Sequence, residues 1–347
     1  TPLYSSAASD VYKRQFLWFS QLINGLPKPW KYFEIDGLMV NAYEILQKYH
    51  TNLMVSEKGI HKYLVFDGPI AMDSGGFLFM KKKILDVHPQ KILELYEASK
   101  PDFGVILDHP LEPNLSNDER KRRQLKTLEN TRYMVKSRNG HNPQLIPVIH
   151  GHSIRTISWY ISKLNEIIEF GTYGIGSLVP SVFNSKGIGG IYNVVKIVSF
   201  IKKLLPDKRI HVFGVGGTLT MHLMFYVGAD SIDSSGWRTK AAFGAIQLPG
   251  VGDRYITTRK KHKKYRDLSR GEKEILDDCG CPACKHYSLE DLRKSFELRA
   301  LHNAWVFQKE VRTARKLIGK NDYEDYVEEV LTNTPFSNVF KYASKFQ

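Results

Sequence analysis

The alternation of two kinds of apolar segment is the feature that most constrains how this chain folds. Short runs rich in β-branched residues, typical of buried strands, alternate with longer amphipathic stretches that are typical of helices. The predicted strands span residues 38–42, 70–73, 103–108, 145–150, 173–179, 210–215 and 231–234. The predicted helices span residues 89–99, 118–138, 154–169, 192–205 and 219–227. This order predicts an α/β fold with a parallel sheet and right-handed crossovers.

The number of strand–helix units favours a closed barrel over an open sheet. Seven units are recognisable, and an eighth strand is expected near residues 245–248. A (β/α)8 TIM barrel needs about 250 residues, and the chain has 347. No Gly-x-Gly-x-x-Gly sequence follows the first predicted strand, which argues against an open dinucleotide-binding sheet. We expect the barrel over residues 16–252 and a smaller C-terminal subdomain with helices over residues 253–347.

The first residues differ in character from the rest of the chain. There is no initiator Met, and residues 5–15 read SSAASDVYKRQ, which resembles translated adapter sequence. We therefore expect residues 1–15 to be foreign to the fold.

The charge of the chain favours a polyanionic partner. Fifty Lys and Arg against 36 Asp and Glu give a net charge of +14, an excess that an enzyme of small metabolites does not need. Part of it is concentrated in a basic strip, residues 259–264, which contains Arg259, Lys260, Lys261, Lys263 and Lys264. Such a run is either a solvated loop or a surface that contacts phosphates. The composition thus indicates nucleic acid, with a basic but ordinary enzyme as the alternative.

The three cysteines of the chain indicate a metal site. Cys279, Cys281 and Cys284 lie within six residues, and an odd, closely spaced set makes a poor disulfide framework but is typical of a reducing compartment such as the cytoplasm. His302 follows Cys284 after seventeen residues and completes a tetrahedral set for zinc. Four protein ligands close the site, so the zinc is expected to be structural. His286 is too near Cys284 to complete the set.

Three carboxylates are predicted at the carboxyl ends of strands, the face where barrel enzymes place their active sites. They are Asp73, Asp108 and Asp233. The same ends carry Ser74, His150 and Ser177, together with glycines at 75, 76, 151 and 176 that let a planar ligand approach the backbone. Two carboxylates that flank a glycosidic bond can cleave it with retention. Asp73 and Asp233 could form such a pair.

No charge-free run of about 18 apolar residues occurs, so no membrane span is predicted.

Several motifs together resemble the tRNA-guanine transglycosylases, which exchange guanine for a 7-deazaguanine base. The resemblance covers about residues 36–317 and rests on Asp73-Ser74-Gly75-Gly76-Phe77 and on the spacing of the cysteines. Further matches are residues 59–62, 104–108, 173–176, 212–216, 229–234 and 300–303. The combination of the first motif with the cysteine spacing is highly specific.

The resemblance implies a role for each matching residue. Asp233 corresponds to the nucleophile that forms a covalent glycosyl-enzyme, and Asp73 corresponds to the general acid and base. Asp108 corresponds to the carboxylate that recognises the purine, and Phe77 to an aromatic residue that stacks on it. Further base contacts are implied for Ser74, His150, Gly151, Gly176 and Ser177, and zinc ligation for Cys279, Cys281, Cys284 and His302.

The chain departs from the usual family pattern at several positions. His150-Gly151 stands where Gln-Gly is usual, and Leu78 follows Phe77 where Gln is usual. The residues after Asp233 and the short gap before His302 are closer to archaeal members, and the compact chain also resembles the branch that inserts 7-deazaguanines into DNA. The substrate polynucleotide, tRNA or DNA, therefore stays open. Family members commonly dimerise through the zinc region, which implies a possible homodimer.

Two other classes of function compete with base exchange. A barrel enzyme of small phosphorylated metabolites could use Gly214–Gly217 as a phosphate cradle, but it leaves the cysteine cluster and the basic strip unexplained. A catalytically inactive nucleic-acid-binding barrel would be expected to lack Asp73 or Asp233, and both are present.

Replacing four lysines of the basic strip with Ser tests its role. If Lys260, Lys261, Lys263 and Lys264 bind phosphates, the apparent KM for the polynucleotide should rise. The salt dependence of binding should become shallower, by about one slope unit for each phosphate that the variant no longer neutralises. Guanine affinity should hardly change. Polynucleotide binding that stays unaltered at several salt concentrations would identify the strip as a solvated loop.

Overall fold

Nine parallel strands form one sheet in the computed structural model of the chain, which describes residues 13–20, 25–81, 87–140, 142–151, 153–178, 189–257 and 265–346. The strands are β1 (Arg14–Trp18), β2 (Leu38–Asn41), β3 (Ile70–Asp73), β4 (Phe103–Val105), β5 (Gln144–Ile146), β6 (Val148–Ile149), β7 (Thr172–Ile175), β8 (Arg209–Val212) and β9 (Ser231–Ser234). Their order in the sheet is β5-β4-β3-β2-β1-β9-β8-β7-β6.

The sheet closes into a barrel. The strands at its two ends, β5 and β6, are consecutive in the chain and are separated only by Pro147. A proline lacks the N–H that a ladder requires, so it interrupts the strand at this point. Together β5 and β6 fill one of eight positions, and the predicted (β/α)8 barrel is confirmed.

The strand that completes the barrel is not the one predicted. Residues Ala245–Leu248 form β10, which pairs antiparallel with β11 (Gly252–Tyr255) in a separate two-stranded sheet. The eighth position belongs to β1, which lies between β2 and β9. The prediction of a barrel strand near residues 245–248 was therefore wrong. Only seven helical residues lie between Ser235 and Phe243, and the chain then turns back at Gly244. Strand β1 begins at Arg14, inside the segment expected to be foreign.

Helices follow the strands and cover the outside of the barrel. They are α1 (Ala42–Leu46), α2 (Tyr49–Lys58), α3 (Ile60–Leu64), α4 (Gly76–Lys81), α5 (Pro89–Ser99), α6 (Asn117–Ser137), α7 (Ile154–Asn165), α8 (Gly189–Leu204), α9 (Thr220–Tyr226) and α10 (Gly236–Ala242). Side-chain caps account for several helix starts: Ser116 accepts from the Glu119 amide, and Ser153 forms a capping box with Thr156. The described residues contain no helix that is both long and apolar enough to cross a membrane.

The C-terminal part of the chain has a small core of its own. This part of the chain contains β10, β11, α11 (Arg270–Asp277), α12 (Leu289–Lys294), α13 (Phe296–Ile318), α14 (Tyr323–Thr332) and α15 (Ser337–Ala343). Ile246, Leu248 and Leu276 pack there against Cys279 and Cys281. The cysteines therefore lie inside an apolar cluster that is separate from the main core.

Helix α13 joins this region to the barrel through buried polar side chains. The guanidinium of Arg299 donates to the carbonyl oxygens of Ala241 and Leu292. The Asn303 amide donates to the carbonyl of Trp237 and accepts from the Gln247 amide. A further such contact links the helix to β1, because Gln308 donates to the carbonyl of Gln15. These hydrogen bonds satisfy backbone groups that would otherwise be buried without partners.

Truncating Leu17 in β1 tests whether this strand completes the barrel. Its side chain is fully buried between the sheet and the outer helices. Leu17→Ala should lower the free energy of unfolding by about 2–5 kcal/mol, because the transfer energy is lost and a cavity remains. The measurement is chemical unfolding, with the exposed Tyr49→Ala as control. Equal stability of the two variants would contradict the placement of β1.

Candidate active site and metal centre

Asp73 ends β3 at the mouth of the barrel. Its Oδ2 accepts hydrogen bonds from the side-chain amide of Asn41, at 2.6 Å, and from the Gly75 backbone, at 3.1 Å. Burial raises the pKa of the Asp73 carboxyl to about 8, and the negative charges of Asp108 and Asp233 add to the effect. Asp73 is therefore mostly protonated at neutral pH and can donate a proton.

Asp233 lies near the end of β9 and is almost completely buried. Its Oδ1 accepts from the Gly214 backbone at 2.8 Å and lies 3.3 Å from Nε2 of His211. The two donors face one oxygen of the carboxylate. Hydrogen bonds of this kind favour the ionised form of a carboxyl group.

Asp108 follows β4 by three residues and is also buried. Its Oδ2 lies 2.9 Å from Nε2 of His150, and Nδ1 of the same ring lies 2.9 Å from the Ser177 hydroxyl. Ser177 adopts a left-handed backbone conformation, with φ of 63°, and its Oγ accepts from the Leu111 amide. The expected base-contact residues His150 and Ser177 thus lie together beside Asp108: the His150 ring is hydrogen-bonded to Ser177, and its Nε2 is within ion-pair distance of the carboxylate. His150 is fully buried.

The Asp-Ser-Gly-Gly-Phe motif is the turn between β3 and α4. A Cβ on Gly76 would lie 2.2 Å from Oδ1 of Asp108, so only glycine lets this turn approach that carboxylate. Ser74 is fully buried, and its hydroxyl has no hydrogen-bond partner among the described residues. Phe77 is half exposed. The turn thus presents one unpaired hydroxyl and one accessible ring beside two carboxylates.

Glycines 151 and 176 fill narrow spaces on the opposite side of the mouth. A Cβ on Gly176 would lie 2.6 Å from Val148 and 2.8 Å from the His150 ring. A Cβ on Gly151 would lie 2.5 Å from Ile157. Both positions therefore require glycine for packing, whatever else their backbone does.

Two residues that touch the carboxylates were missed in the sequence. Asn41 ends β2 and contacts Asp73, and His211 lies in β8 and contacts Asp233. No local pattern marks His211, because its contact with Asp233 depends on the pairing of β8 with β9. No local pattern marks Asn41, since its contact depends on the pairing of β2 with β3.

The predicted metal ligands come together. The ligand atoms of Cys279, Cys281, Cys284 and His302 all lie within 4.8 Å of one another. Nδ1 of His302 lies 3.7, 3.5 and 3.3 Å from the three sulfur atoms in that order. Zinc bonded to sulfur at about 2.3 Å and to nitrogen at about 2.0 Å would place these atoms about 3.5 Å apart in a tetrahedron. The donor set therefore fits a tetrahedral metal ion.

The other ring nitrogen of His302 supports the same interpretation. Nε2 lies 2.8 Å from the carbonyl oxygen of Gln247 in β10. A metal-binding imidazole almost always donates its second N–H in this way, which fixes the tautomer and the ring orientation. His286, which the sequence spacing disfavours as a ligand, is exposed and outside the cluster.

The basic strip, Arg259, Lys260, Lys261, Lys263 and Lys264, lies outside the described residues. Near it, Arg254 and Arg266 pair with Glu272, and Lys240 pairs with Asp253. The hydrogen bond from Arg266 is the main reason why the pKa of Glu272 is well below its usual range. These three described cations therefore have carboxylate partners.

Sequence comparison agrees with the motifs. The family described as Queuine tRNA-ribosyltransferase matches residues 27–335, which is most of the chain. This protein belongs to the queuine tRNA-ribosyltransferase family. The match includes the three mouth carboxylates and the cysteine cluster.

Several curated relatives carry the name tRNA-guanine(15) transglycosylase. A tRNA-guanine(15) transglycosylase of Methanococcus aeolicus is 29% identical over 300 residues, which are 84% of this chain and 43% of the relative. The protein of the same name from Pyrococcus furiosus is 27% identical over 87% of this chain and 49% of the relative. The protein of this name from Methanosarcina mazei is 28% identical over 89% of this chain and 59% of the relative. The chain spans about half the length of the curated relatives it matches.

Replacing Asp73 with Asn tests the raised pKa. Between pH 3.8, the ordinary value, and about 8, the folded protein binds more protons at this position than the unfolded chain. The protonated Asp73 carboxyl therefore contributes its full stabilisation below pH 3.8, and this contribution is lost as the pH rises to about 8. Relative to Asp73→Asn, wild-type stability in urea should fall between about pH 5 and about pH 8.

The control for this measurement is Asp277→Asn, which alters an exposed carboxyl at the end of α11. It should follow the wild type at every pH. A constant difference between the wild type and Asp73→Asn over the same range would contradict the raised pKa.

Removing one sulfur ligand tests the metal centre. Cys281→Ser should lose the bound metal and lower the thermal stability of the C-terminal core, because a closed four-ligand site contributes folding energy. Elemental analysis of the wild type should give about one metal ion per chain. His286→Gln is the matched control and should retain the metal. A wild type that keeps its full Tm after chelation would refute the site.

Proposed function

We propose that this protein exchanges guanine in tRNA for a 7-deazaguanine base through a covalent intermediate on Asp233. The arrangement of two carboxylates at one barrel mouth supports this most strongly. One oxygen of Asp233 accepts hydrogen bonds from the Gly214 backbone and from His211, whereas burial keeps Asp73 protonated. Membership of the family and the printed names of the archaeal relatives agree with this reaction.

The first step cleaves the glycosidic bond of the target guanosine. A carboxylate oxygen of Asp233 attacks C1′, and the electrons of the bond between C1′ and N9 leave with guanine. Asp73 donates its proton to the departing base and becomes a carboxylate. The ribose remains bonded to Asp233, and the polynucleotide backbone stays intact.

The second step reverses these roles. The Asp73 carboxylate takes the proton from the ring nitrogen of the incoming base, which then attacks C1′ and displaces Asp233. Two inversions at C1′ give overall retention. Because Asp73 regains its proton and Asp233 its charge, the site returns to its starting state without another reactant.

The residues around the acid would recognise the base. Asp108 supplies an acceptor for the amidine edge of a purine, and the unpaired Ser74 hydroxyl supplies a donor or acceptor beside it. The exposed ring of Phe77 offers a stacking surface. Backbone groups at Gly151, Gly176 and Ser177 would complete the pocket, and His150 would act by holding Asp108.

The remaining parts of the proposal concern partners. The net charge of +14 suits a phosphate backbone, and we assign tRNA rather than DNA because the relatives are named for tRNA. Zinc is the ion that the three thiolates and one imidazole would hold, in a structural role and in the reducing cytoplasm. A homodimer through the metal region stays a prediction from the family resemblance.

Radiolabelled guanine tests this function. Wild-type protein should incorporate label into tRNA and leave duplex DNA unlabelled, whereas label in DNA alone would assign the other substrate. Asp233→Asn should abolish incorporation while folding and tRNA binding persist, because an amide is a poor nucleophile.

The matched control is Asp230→Asn, three residues earlier. Asp230 directly precedes β9, at the end of the strand away from the mouth, and pairs with Lys13 and Lys202, so this variant should lose stability but still exchange guanine. If Asp233→Asn retained more than a few per cent of activity, or if Asp230 proved essential instead, the assigned nucleophile would be wrong.

A further inference from the structure

We infer that His211, oriented by Ser231, is a positioning residue that holds the Asp233 carboxylate for attack on C1′. The inference rests on the proposed function. It concerns two residues on neighbouring strands of the barrel, neither of which was assigned a role from the sequence.

The partners of the imidazole determine which nitrogen carries its proton. Nε2 of His211 lies 3.3 Å from Oδ1 of Asp233, and Nδ1 lies 2.8 Å from the Ser231 hydroxyl. A carboxylate only accepts hydrogen bonds, so Nε2 must donate. In the neutral ring Nδ1 is then an acceptor, and the Ser231 hydroxyl donates to it. Asp233 thereby determines the tautomer, and Ser231 fixes the orientation of the ring that points Nε2 at the carboxylate.

The hydrogen bonds on Asp233 leave its two oxygens unequal. Oδ1 accepts from His211 and also from the Gly214 backbone at 2.8 Å. Oδ2 has no hydrogen-bond partner among the described residues. The two donors thus fix the rotation of the carboxylate while one oxygen keeps its lone pairs free. That free oxygen is the one we assign as the nucleophile.

The imidazole is held firmly enough to act in this way. His211 is 3% exposed and lies in β8, whose register places it opposite Ser231 of β9. Its ring packs edge-on against Phe16 and Phe213, with centroid distances of 5.9 and 4.5 Å. Ser231 and Asp233 are two residues apart and therefore share one face of the strand. A hydrogen bond to a charged group is stronger in such a buried site than in water.

Two substitutions at His211 separate positioning from packing. His211→Phe keeps a buried ring but removes both hydrogen bonds, so kcat for guanine exchange should fall by on the order of 100-fold while the KM for tRNA stays at the wild-type value. His211→Gln places an amide N–H close to the position of Nε2 and should recover most of the missing kcat. Ser231→Ala should give an intermediate decrease, because the ring loses one of the two hydrogen bonds that fix its orientation.

His222→Gln is the matched control. His222 is another fully buried histidine bonded to a carboxylate, Glu310, but it lies in α9 outside the barrel mouth. This variant should lose thermal stability and keep the wild-type kcat. A general effect of removing a buried histidine would lower kcat here as well, and that result would overturn the inference.

A spectroscopic measurement addresses the geometry without activity. Nitrogen-15 NMR of histidine-labelled protein should show His211 with its proton on Nε2, and Ser231→Ala should shift the Nδ1 signal because that nitrogen loses its hydrogen-bond donor. A proton found on Nδ1, or an unchanged kcat in His211→Phe, would overturn the inference alone. A wild type that exchanges guanine in no polynucleotide would instead overturn the proposed function together with the role of His211 in it.

Discussion

The pairing of β1 with strands on both of its sides is the constraint on which the rest of the structure depends. β1 bonds to β2 along one edge and to β9 along the other, with Phe16 opposite Asp233. In a parallel barrel every strand ends at the same mouth. β1 therefore brings Asn41 and Asp73, which follow it in the sheet, to the mouth that also contains Asp233. Without this strand the sheet would be open between its first and last βα units, and the carboxylates would lie on separate edges.

Closure of the barrel brings three carboxyl groups close together, and their polar neighbours differ. Three carboxyl groups share a buried mouth, where mutual repulsion and desolvation oppose their being charged together. Asp108 and Asp233 each face an imidazole nitrogen, from His150 and His211 respectively. Asp73 has only a neutral amide and one backbone N–H, and its pKa rises to about 8. The proton therefore resides on Asp73, as the proposed division of the carboxyl groups into an acid and a nucleophile requires.

Helix α13 couples the metal centre to this barrel. His302 contributes to the cysteine cluster, and the next residue, Asn303, bonds to backbone groups of α10 and β10. Farther along the helix, Gln308 bonds to the backbone of β1. A change in the geometry of the cysteine cluster would thus be transmitted through α13 to α10, the helix that follows β9 and Asp233. The four side chains that could hold a metal ion are therefore connected to the barrel through one helix.

What the sequence determined by itself follows from local rules. Periodicity predicted seven strands and the parallel barrel, position at strand ends identified Asp73, Asp108 and Asp233, and ligand chemistry with spacing assembled Cys279 through His302. The eighth strand was misplaced because β1 begins inside the N-terminal segment that was expected to be foreign to the fold, and because strand pairing is non-local. Only the tertiary structure decided that His211 faces Asp233, that His150 faces Asp108, and that Asp73 keeps the proton. Those outcomes depend on register and burial across strands distant in the chain, which no local pattern encodes.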